Sequence, residues 1–271
     1  MKKYGVVGHL GKLGRLLLER PNFVPIDCNI TDRESIKRGL GNAPDLNVIV
    51  NCAAVSSIDA CEADYDHALK VNVHGLSYLH KEFGSRVLNI STDQVFSGKS
   101  WFLPKENSFR EPVNNYGYTK LGAETISQIN GGKTIRISRT VSMDDPDIHM
   151  YWIRLAEGND IAVPTFFKRN YLTRNKAVNG IEFFVNNYDR MPRAVNYGSL
   201  DNVSYYRLMD EFLLAAKVYG EYLPGKVLPR KQDVGGSPRP KWGGFNVTLA
   251  KKLGFPMYKL SDTVSELVEE I

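Results

Sequence analysis

The sequence predicts an α/β protein with a doubly wound parallel Rossmann sheet and a smaller mixed lobe. Apolar strand segments alternate with helical segments through the first half of the chain. A glycine-rich turn separates the first strand from the first helix, and after about residue 142 the pattern becomes irregular and richer in aromatics. We therefore expect a Rossmann domain over 1–142 and a second lobe over 143–271, with about 176–199 folding back onto the first domain.

Each element of the first half has a local signal. Pro21 closes the first helix, the stretch Thr31 to Glu34 has the form of a capping box that starts the second, and Gly84 ends a long third one. These signals predict strands over 3–8, 22–27, 47–54, 86–91 and 133–139, and helices over 13–20, from 31–34 to Gly39 or Gly41, and over 62–83 and 115–128.

The second half is predicted more coarsely. Apolar periodicity indicates two helices and an intervening strand, and a Ser/Asp start indicates a terminal helix. The predicted helices cover 180–187, 205–217 and 261–271, the strand covers 193–198, and a long loop rich in Pro, Gly and basic residues covers 223–244.

Composition narrows the class of protein. Of 271 residues, 42% are hydrophobic and 24% charged, which is typical of a packed globular chain, and the net charge of +5 includes no long basic tract. We therefore expect no nucleic-acid binding. No apolar run reaches membrane-span length, and the N-terminus lacks the apolar core of a signal peptide. Three cysteines without CxxC spacing and five scattered histidines favour a cytoplasmic location and no metal site.

The first turn carries a dinucleotide-binding pattern. Gly8, Gly11 and Gly14 form G-x-x-G-x-x-G, with His9 and Leu10 inside the turn. Glycine permits positive φ and lets the backbone approach a pyrophosphate. NAD(P)H is therefore the predicted cofactor.

An acidic residue bears on which form of the cofactor is used. Asp27 follows Gly8 by 19 residues, near the end of the second strand, where an acid binds a ribose diol and favours NAD. Asp27 could equally serve only the following turn. Lys12 and Arg15 lie close enough to accept a 2′-phosphate, so NADPH also stays open.

Tyr116 and Lys120 have the Y-x-x-x-K spacing, which places both on one helix face. A free phenol titrates near pH ~10, too high for proton transfer at neutral pH. A neighbouring ammonium favours the phenolate, so we expect Lys120 to lower the pKa of Tyr116. Lys120 also has the reach to bind the cofactor ribose.

At these residues the chain resembles the extended short-chain dehydrogenase/reductases, and within them the dTDP-4-dehydrorhamnose reductases. The motifs that carry the likeness are "GHLGKLG", "ITDRESI", "VIVNCAAVSSIDACEAD", "ALKVNVHG", "ISTDQVF", "EPVNNYGYTKLGAE" and "RPKWGGFNVTLAKKLG". The resemblance implies an NAD(P)H-dependent oxidoreductase that reduces the 4-keto group of a nucleotide-activated deoxy sugar, as in dTDP-rhamnose biosynthesis. A homodimer is also expected.

The resemblance assigns roles to individual residues. It implies that Thr92, Tyr116 and Lys120 are catalytic. It also implies that five residues lie near the cofactor: Ala53, Ala54, Asn72, Asn29 and Ile30. On the substrate side we expect Asp93, Val95 and Phe96, which follow Thr92, together with the basic residues Lys168, Arg169 and Arg239 as contacts for a diphosphate. Lys168 and Arg169 have an equal alternative as exposed loop residues.

Gln94 separates two chemistries. Dehydratases of the same superfamily read T-D-E at this strand end and use the Glu as a base, whereas this chain reads Thr92-Asp93-Gln94. An amide cannot ionise, so the sequence favours a reductase. We expect the Gln94 side chain to be a solvent-facing loop amide. Two alternatives remain: a catalytically silent regulatory subunit that binds NADP and a partner enzyme, and an epimerase that retains NAD.

Overall fold

The first half of the chain folds as alternating strands and helices, as the sequence predicts. The computed structural model describes residues 2–99, 101–232 and 235–271. Its first elements are β1 (Tyr4–Val7), α1 (Lys12–Leu18), β2 (Phe23–Ile26), α2 (Arg33–Gly41), β3 (Val48–Asn51), α3 (Ile58–Ala63), α4 (Tyr65–Leu69), α5 (Gly75–Phe83), β4 (Val87–Thr92), α6 (Asn115–Ile129) and β5 (Lys133–Ile137).

The second half contains shorter strands and three long helices. Its elements are β6 (Thr140–Val141), α7 (Pro146–Ala156), β7 (Ile161–Pro164), β8 (Lys168–Arg169), β9 (Leu172–Thr173), α8 (Arg174–Asn186), β10 (Ala194–Tyr197), β11 (Val203–Ser204), α9 (Tyr205–Val218), β12 (Val227–Arg230), α10 (Thr248–Leu253) and α11 (Leu260–Glu269). Among the described residues, we find no helix with the length and hydropathy that a membrane span requires.

Six parallel strands form the central sheet, in the order β10-β5-β4-β3-β1-β2. One face packs against α1 and α8 through a core that includes Val6, Leu17 and Phe184. The other face packs against α2, α5 and α6 through a core that includes Ile36, Leu79 and Ala123. The predicted doubly wound α/β fold is confirmed. Because all strands are parallel, their carboxyl ends share one edge, where such sheets bind ligands.

A second core lies in the lobe. It joins α7, α9 and α11 through buried residues such as Leu155, Phe212 and Leu267. Two segments of the second half lie with the sheet instead. α8 and β10 are the first. Residues around Ala250 and Phe255 are the second, since both side chains are buried in the core of the sheet and Phe255 packs against Phe184 of α8 and Tyr197 of β10. The packing of residues around Ala250 and Phe255 against the sheet was not predicted from the sequence. The division at residue 142 remains a proposal.

Three local predictions are wrong in detail. The helix expected over 62–83 starts at Ile58, breaks at Asp64 and includes a π-helical turn at Lys70–His74. Asp64 leaves helical geometry (φ −143°, ψ 84°) because its carboxylate accepts the His67 N–H and so starts α4. Helix α2 is capped by Asp32, not Thr31. The loop predicted over 223–244 contains β12, which pairs with β7; residues 233 and 234 of that loop lie outside the described residues.

Candidate active site

A cleft of about 770 Å³ opens at the carboxyl edge of the sheet, between the sheet and the lobe. Residues that follow β1, β3, β4 and β5 line one wall, and lobe residues line the other. Among the predicted site residues, those that line the cleft are Gly11, Ala54, Thr92, Asp93, Tyr116, Lys120, Arg169 and Arg239.

The glycine turn is as tight as its sequence predicts. Gly8 has φ +76°, and a Cβ there would lie 2.5 Å from the backbone N of Ala53. A Cβ on Gly14 would lie 2.4 Å from the carbonyl oxygen of Gly8. Gly11 differs, because it lines the cleft and its Cβ would contact only the Gly8 oxygen, at 3.3 Å. Gly8 and Gly14 therefore close the turn, and Gly11 keeps its cleft side free of a side chain, which fits a pyrophosphate. His9 is half-buried, and Leu10 is exposed.

The residues expected near the adenosine half of the cofactor lie away from the cleft. Asp27 is exposed directly after β2, and the Asn29 carboxamide oxygen accepts hydrogen bonds from Thr31 within a turn. The Ile30 side chain is buried beneath Gly75 of α5 and belongs to the core, and its role beside the adenine stays a prediction.

Asn72 is buried and connects two segments near the cleft by hydrogen bonds. Its side chain bonds both the N–H and the carbonyl of Val55, at 2.8 and 3.1 Å, and donates to the Thr119 hydroxyl at 2.9 Å. It thereby ties the loop after β3, which includes Ala54, to helix α6. This geometry is compatible with a supporting role.

Thr92, Tyr116 and Lys120 converge in the cleft. Thr92 ends β4, and Tyr116 and Lys120 lie one turn apart at the start of α6. Asn114 caps this helix, because its side-chain oxygen accepts the Gly117 N–H at 2.8 Å. Thr92 and Tyr116 line the cleft close to each other, and the Lys120 side chain is almost fully buried.

The pKa of Tyr116 is shifted in the direction opposite to the one expected. Burial raises it well above the usual phenol value, the nearby Asp93 carboxylate raises it further, and the Thr92 hydrogen bond lowers it only partly. Burial also lowers the pKa of Lys120 to about 8, against the opposing charge of Glu124. Desolvation therefore outweighs the ammonium, and Tyr116 remains a protonated phenol at neutral pH. A protonated phenol can act as a proton donor.

Gln94 is buried, so the prediction of a solvent-facing amide is wrong. Only 7% of the residue is exposed, and its Oε1 accepts a hydrogen bond from Asn114 Nδ2 at 3.0 Å. The backbone geometry explains the burial, because Thr92 caps the short 3-10 turn over Asp93 to Val95 and turns Gln94 inward.

Several predicted substrate residues have other partners. Val95 and Phe96 are buried in a core cluster with Phe245. Lys168 lies over the Trp242 ring, with Nζ 4.7 Å from the centroid. These three do not line the cleft.

Arg169 and Arg239 do line the cleft, but each is paired. Arg169 is buried against Asp93, with 2.9 Å between Nε and Oδ2, so its alternative as an exposed loop residue is wrong. Arg239 faces the Asp59 carboxylate at 3.4 Å.

The far wall of the cleft carries residues that the sequence analysis missed. Arg139, Asp147 and Tyr205 form one cluster, because the Asp147 carboxylate accepts from Arg139 Nη2 at 2.6 Å and from the Tyr205 hydroxyl at 2.8 Å. Arg230 and Tyr151 lie on the same wall. Within the described part of the chain, the buried Nε of Arg230 has no hydrogen-bond partner. The signal for Arg139 was its position at the end of the strand predicted over 133–139, whereas Arg230 fell in a predicted loop.

The sequence pattern of the family described as RmlD substrate binding domain matches residues 4–160, more than half of the chain. The chain belongs to this family. A dTDP-4-dehydrorhamnose reductase of Aggregatibacter actinomycetemcomitans is 30% identical over 168 residues, which are 58% of this chain and 57% of the relative. This confirms the resemblance inferred from the motifs.

A second relative is named as a subunit of another enzyme and not as a reductase. The methionine adenosyltransferase 2 subunit beta of Danio rerio is 39% identical over 108 residues, which are 39% of this chain and 32% of the relative. The aligned part of the chain thus spans from a third to little more than half of these two curated relatives.

The fold extends over the whole chain. The crystal structure of a Bacillus anthracis dTDP-4-dehydrorhamnose reductase in complex with NADP superposes with a TM-score of 0.87 and covers 100% of both chains, at 20% identity. At this identity the likeness shows the Rossmann-type architecture with its second lobe.

Proposed function

We propose that this protein is an NAD(P)H-dependent reductase of a nucleotide-activated deoxy sugar that bears a 4-keto group. The observation that carries the proposal is the convergence of Thr92, Tyr116 and Lys120 beside the glycine turn, in one cleft. The name of the Aggregatibacter relative and the motifs of the chain support the same reaction.

Bound NAD(P)H would supply a hydride to the carbonyl carbon. The chain then has to supply one proton to the carbonyl oxygen, so that the ketone becomes an alcohol. Tyr116 is placed for this step, because its protonated phenol lies in the cleft with Thr92 and Lys120; its raised pKa would have to fall in the complex with cofactor and substrate for the transfer to be efficient. Thr92 can donate a hydrogen bond to the same oxygen, and the buried ammonium of Lys120 stabilises negative charge that develops beside it. Gln94 offers no carboxylate for the water elimination of a dehydratase.

The charge of the cleft supports an anionic substrate. Among its described lining residues, lysines and arginines outnumber carboxylates. We propose Arg230 and Arg139 as the contacts of the substrate diphosphate, because they line the lobe wall and the Arg230 guanidinium is not committed to an ion pair within the described residues. This replaces the predicted Lys168, which does not line the cleft, and Arg239 stays a predicted contact. The cytoplasmic location and the homodimer stay predictions.

A second candidate is a regulatory subunit without turnover, which the Danio rerio relative favours. The experiment that separates the two is a screen of 4-keto sugar nucleotides carrying dTDP, UDP, GDP or CDP, with NADH and with NADPH, followed by the loss of absorbance at the nicotinamide band. Turnover of any substrate supports the reductase. No turnover with the whole panel, together with retained cofactor binding, contradicts the reductase and favours the subunit. An epimerase would instead retain its cofactor through purification.

A further inference from the structure

The ion pair between Asp93 and Arg169 connects the lobe to the catalytic strand end. Asp93 follows Thr92 directly, and Arg169 belongs to β8 of the lobe. Their side chains are 3% and 6% exposed, and the Nε to Oδ2 distance is 2.9 Å. The Gly244 N–H donates to the same Oδ2 at 2.8 Å. A buried carboxylate oxygen is therefore held by two donors from outside the Rossmann strands.

The chain leaves space for this guanidinium. Arg169 Nη1 donates to the carbonyl oxygens of Lys168 and Pro240, at 2.6 and 3.0 Å. A Cβ on Gly243 would lie 1.8 Å from the same Nη1, so no larger residue fits at that position without moving the arginine. Gly243 thus leaves the space that the Arg169 guanidinium occupies, and Gly244 supplies the second donor to Asp93.

The other oxygen of Asp93 acts on Thr92. The Thr92 hydroxyl donates to Asp93 Oδ1 at 3.2 Å, and the same hydroxyl lies near enough to the Tyr116 phenol to lower its pKa. A hydroxyl has only one proton to donate. The Asp93 carboxylate therefore competes with Tyr116, and with a substrate oxygen, for the Thr92 proton.

We propose that Arg169 is a positioning residue that limits this competition: by neutralising Asp93, it leaves the Thr92 hydroxyl free to donate toward the phenol and the substrate oxygen. This role rests on the proposed reductase function. It also replaces the diphosphate contact that the sequence suggested for Arg169. Removing one partner of a buried pair leaves the other charge uncompensated, so Asp93 without Arg169 would attract the Thr92 proton more strongly.

The kinetic test compares Arg169→Met with the double variant Arg169→Met/Asp93→Asn. We expect the single variant to lose about 10-fold to 10²-fold in kcat, less than the ~10²-fold to 10³-fold that follows complete removal of one donor to the reacting oxygen, with a smaller change in KM for the sugar nucleotide. The double variant should recover a large part of the loss, because the competing charge is gone. Arg207→Met is the matched control, since Arg207 lies in an exposed pair on α9 and should leave kcat unchanged. A rise in KM alone, without recovery in the double variant, would identify Arg169 as a substrate contact and overturn the proposal.

A second readout needs no turnover. The Thr92 methyl signal in threonine-labelled protein, assigned with Thr92→Val, should shift or broaden in Arg169→Met and stay unchanged in Arg207→Met. If Arg169→Met does not fold, Arg169→Lys keeps the charge, loses the planar fork, and should give a smaller shift. An unchanged Thr92 signal in a folded Arg169 variant overturns the proposal. An inactive parent with a shifted Thr92 signal would contradict the reductase function and still support the coupling of Arg169 to Thr92.

Discussion

The side-chain amide of Asn114 donates to Oε1 of Gln94 at 3.0 Å and joins the strand end that carries Thr92 to the helix that carries Tyr116. Asn114 also caps that helix through the Gly117 N–H. A Cβ on Gly117 would lie 2.4 Å from the Gln94 carbonyl oxygen, so helix and turn are in close contact. The relative position of the threonine and tyrosine hydroxyls therefore depends on a buried, uncharged side chain at position 94.

Gln94→Glu should destabilise the protein, and more at high pH than at low pH. The new carboxylate would be buried beside Asp93, which approaches the Gln94 amide at 3.5 Å, so its folded pKa should be raised. A carboxyl group with a raised folded pKa is tolerated while protonated, and stability falls as the pH rises through that pKa. We expect a loss of about 1–3 kcal/mol in the free energy of unfolding at pH 8 and less at pH 5. Denaturant titration at both pH values measures this.

The control for this prediction is Gln128→Glu, the same change at an exposed position of α6. It should cost less than about 0.5 kcal/mol at either pH. Equal stability of the parent and Gln94→Glu at pH 8 would contradict the proposed burial of Gln94.

The fold and the convergence of Thr92, Tyr116 and Lys120 in one cleft could be predicted because their signals are local. Gly8 to Gly14 lie in one turn, Tyr116 and Lys120 lie in one helix, and alternation of apolar segments defines a parallel sheet. The environment of each group could not be predicted in this way. The pKa of Tyr116 depends on burial and on Asp93, 23 positions away, and the partner of Asp93 comes from β8. The Lys120 motif alone gave the wrong direction, since sequence spacing does not report desolvation.

The lobe wall of the cleft was the least predictable part, because its residues come together through contacts between segments that are distant in sequence. Arg139 and Arg230 line one cleft because β12, which ends at Arg230, pairs with β7 and brings that residue to the cleft wall. A two-stranded pairing between segments about 66 positions apart leaves no periodic signal in either segment. The basic residues that local sequence predicted as diphosphate contacts instead interact with other side chains of the protein, as Lys168 does with the Trp242 ring.

Gly11→Val should abolish NAD(P)H binding in a folded protein. The added side chain would enter the cleft, where only the Gly8 oxygen lies within 4 Å of its Cβ, at 3.3 Å. Gly14→Val should instead destabilise the fold, because its Cβ meets backbone atoms at 2.4 and 2.7 Å. Calorimetric cofactor titration and thermal denaturation separate the two effects. Gly41→Val is the control, since a Cβ there would have no non-neighbouring atom within 4 Å among the residues that the structure describes. Normal affinity in Gly11→Val would refute the proposed pyrophosphate site.

Asp27→Ser should shift cofactor preference toward NADPH. The Asp27 carboxylate is exposed directly after β2, at the position where an acid accepts hydrogen bonds from a ribose diol and repels a 2′-phosphate. The measurement is the ratio of kcat/KM for NADPH to that for NADH, before and after the change. Asp45→Ser, at another exposed aspartate, should leave the ratio unchanged. An unchanged ratio in Asp27→Ser would mean that the carboxylate serves only the turn.

Tyr116→Phe should lower kcat about 10²-fold to 10⁴-fold, the usual worth of general acid catalysis, and leave the affinity for NAD(P)H unchanged. The substitution keeps the ring and removes only the phenol O–H. Tyr118→Phe is a matched control on the same helix, because Tyr118 is 51% exposed and does not line the cleft. Equal turnover of the parent and Tyr116→Phe would exclude Tyr116 as the proton donor.

The pH dependence of stability should report the buried ammonium of Lys120. Its folded pKa of about 8 lies below the unfolded value, so between these two pKa values the unfolded chain binds more protons than the folded one. Stability therefore rises with pH through that window, and below it Lys120 destabilises the fold. Lys120→Met keeps an unbranched side chain, one heavy atom shorter, and has no charge, so it should remove this contribution. Between pH 7 and about 9.5, we expect the parent to gain on the order of 2 kcal/mol relative to Lys120→Met. Denaturant titrations of both proteins across that range, without cofactor, measure the difference. Parallel stability curves would mean that Lys120 titrates as an ordinary solvated lysine and that burial does not set its charge.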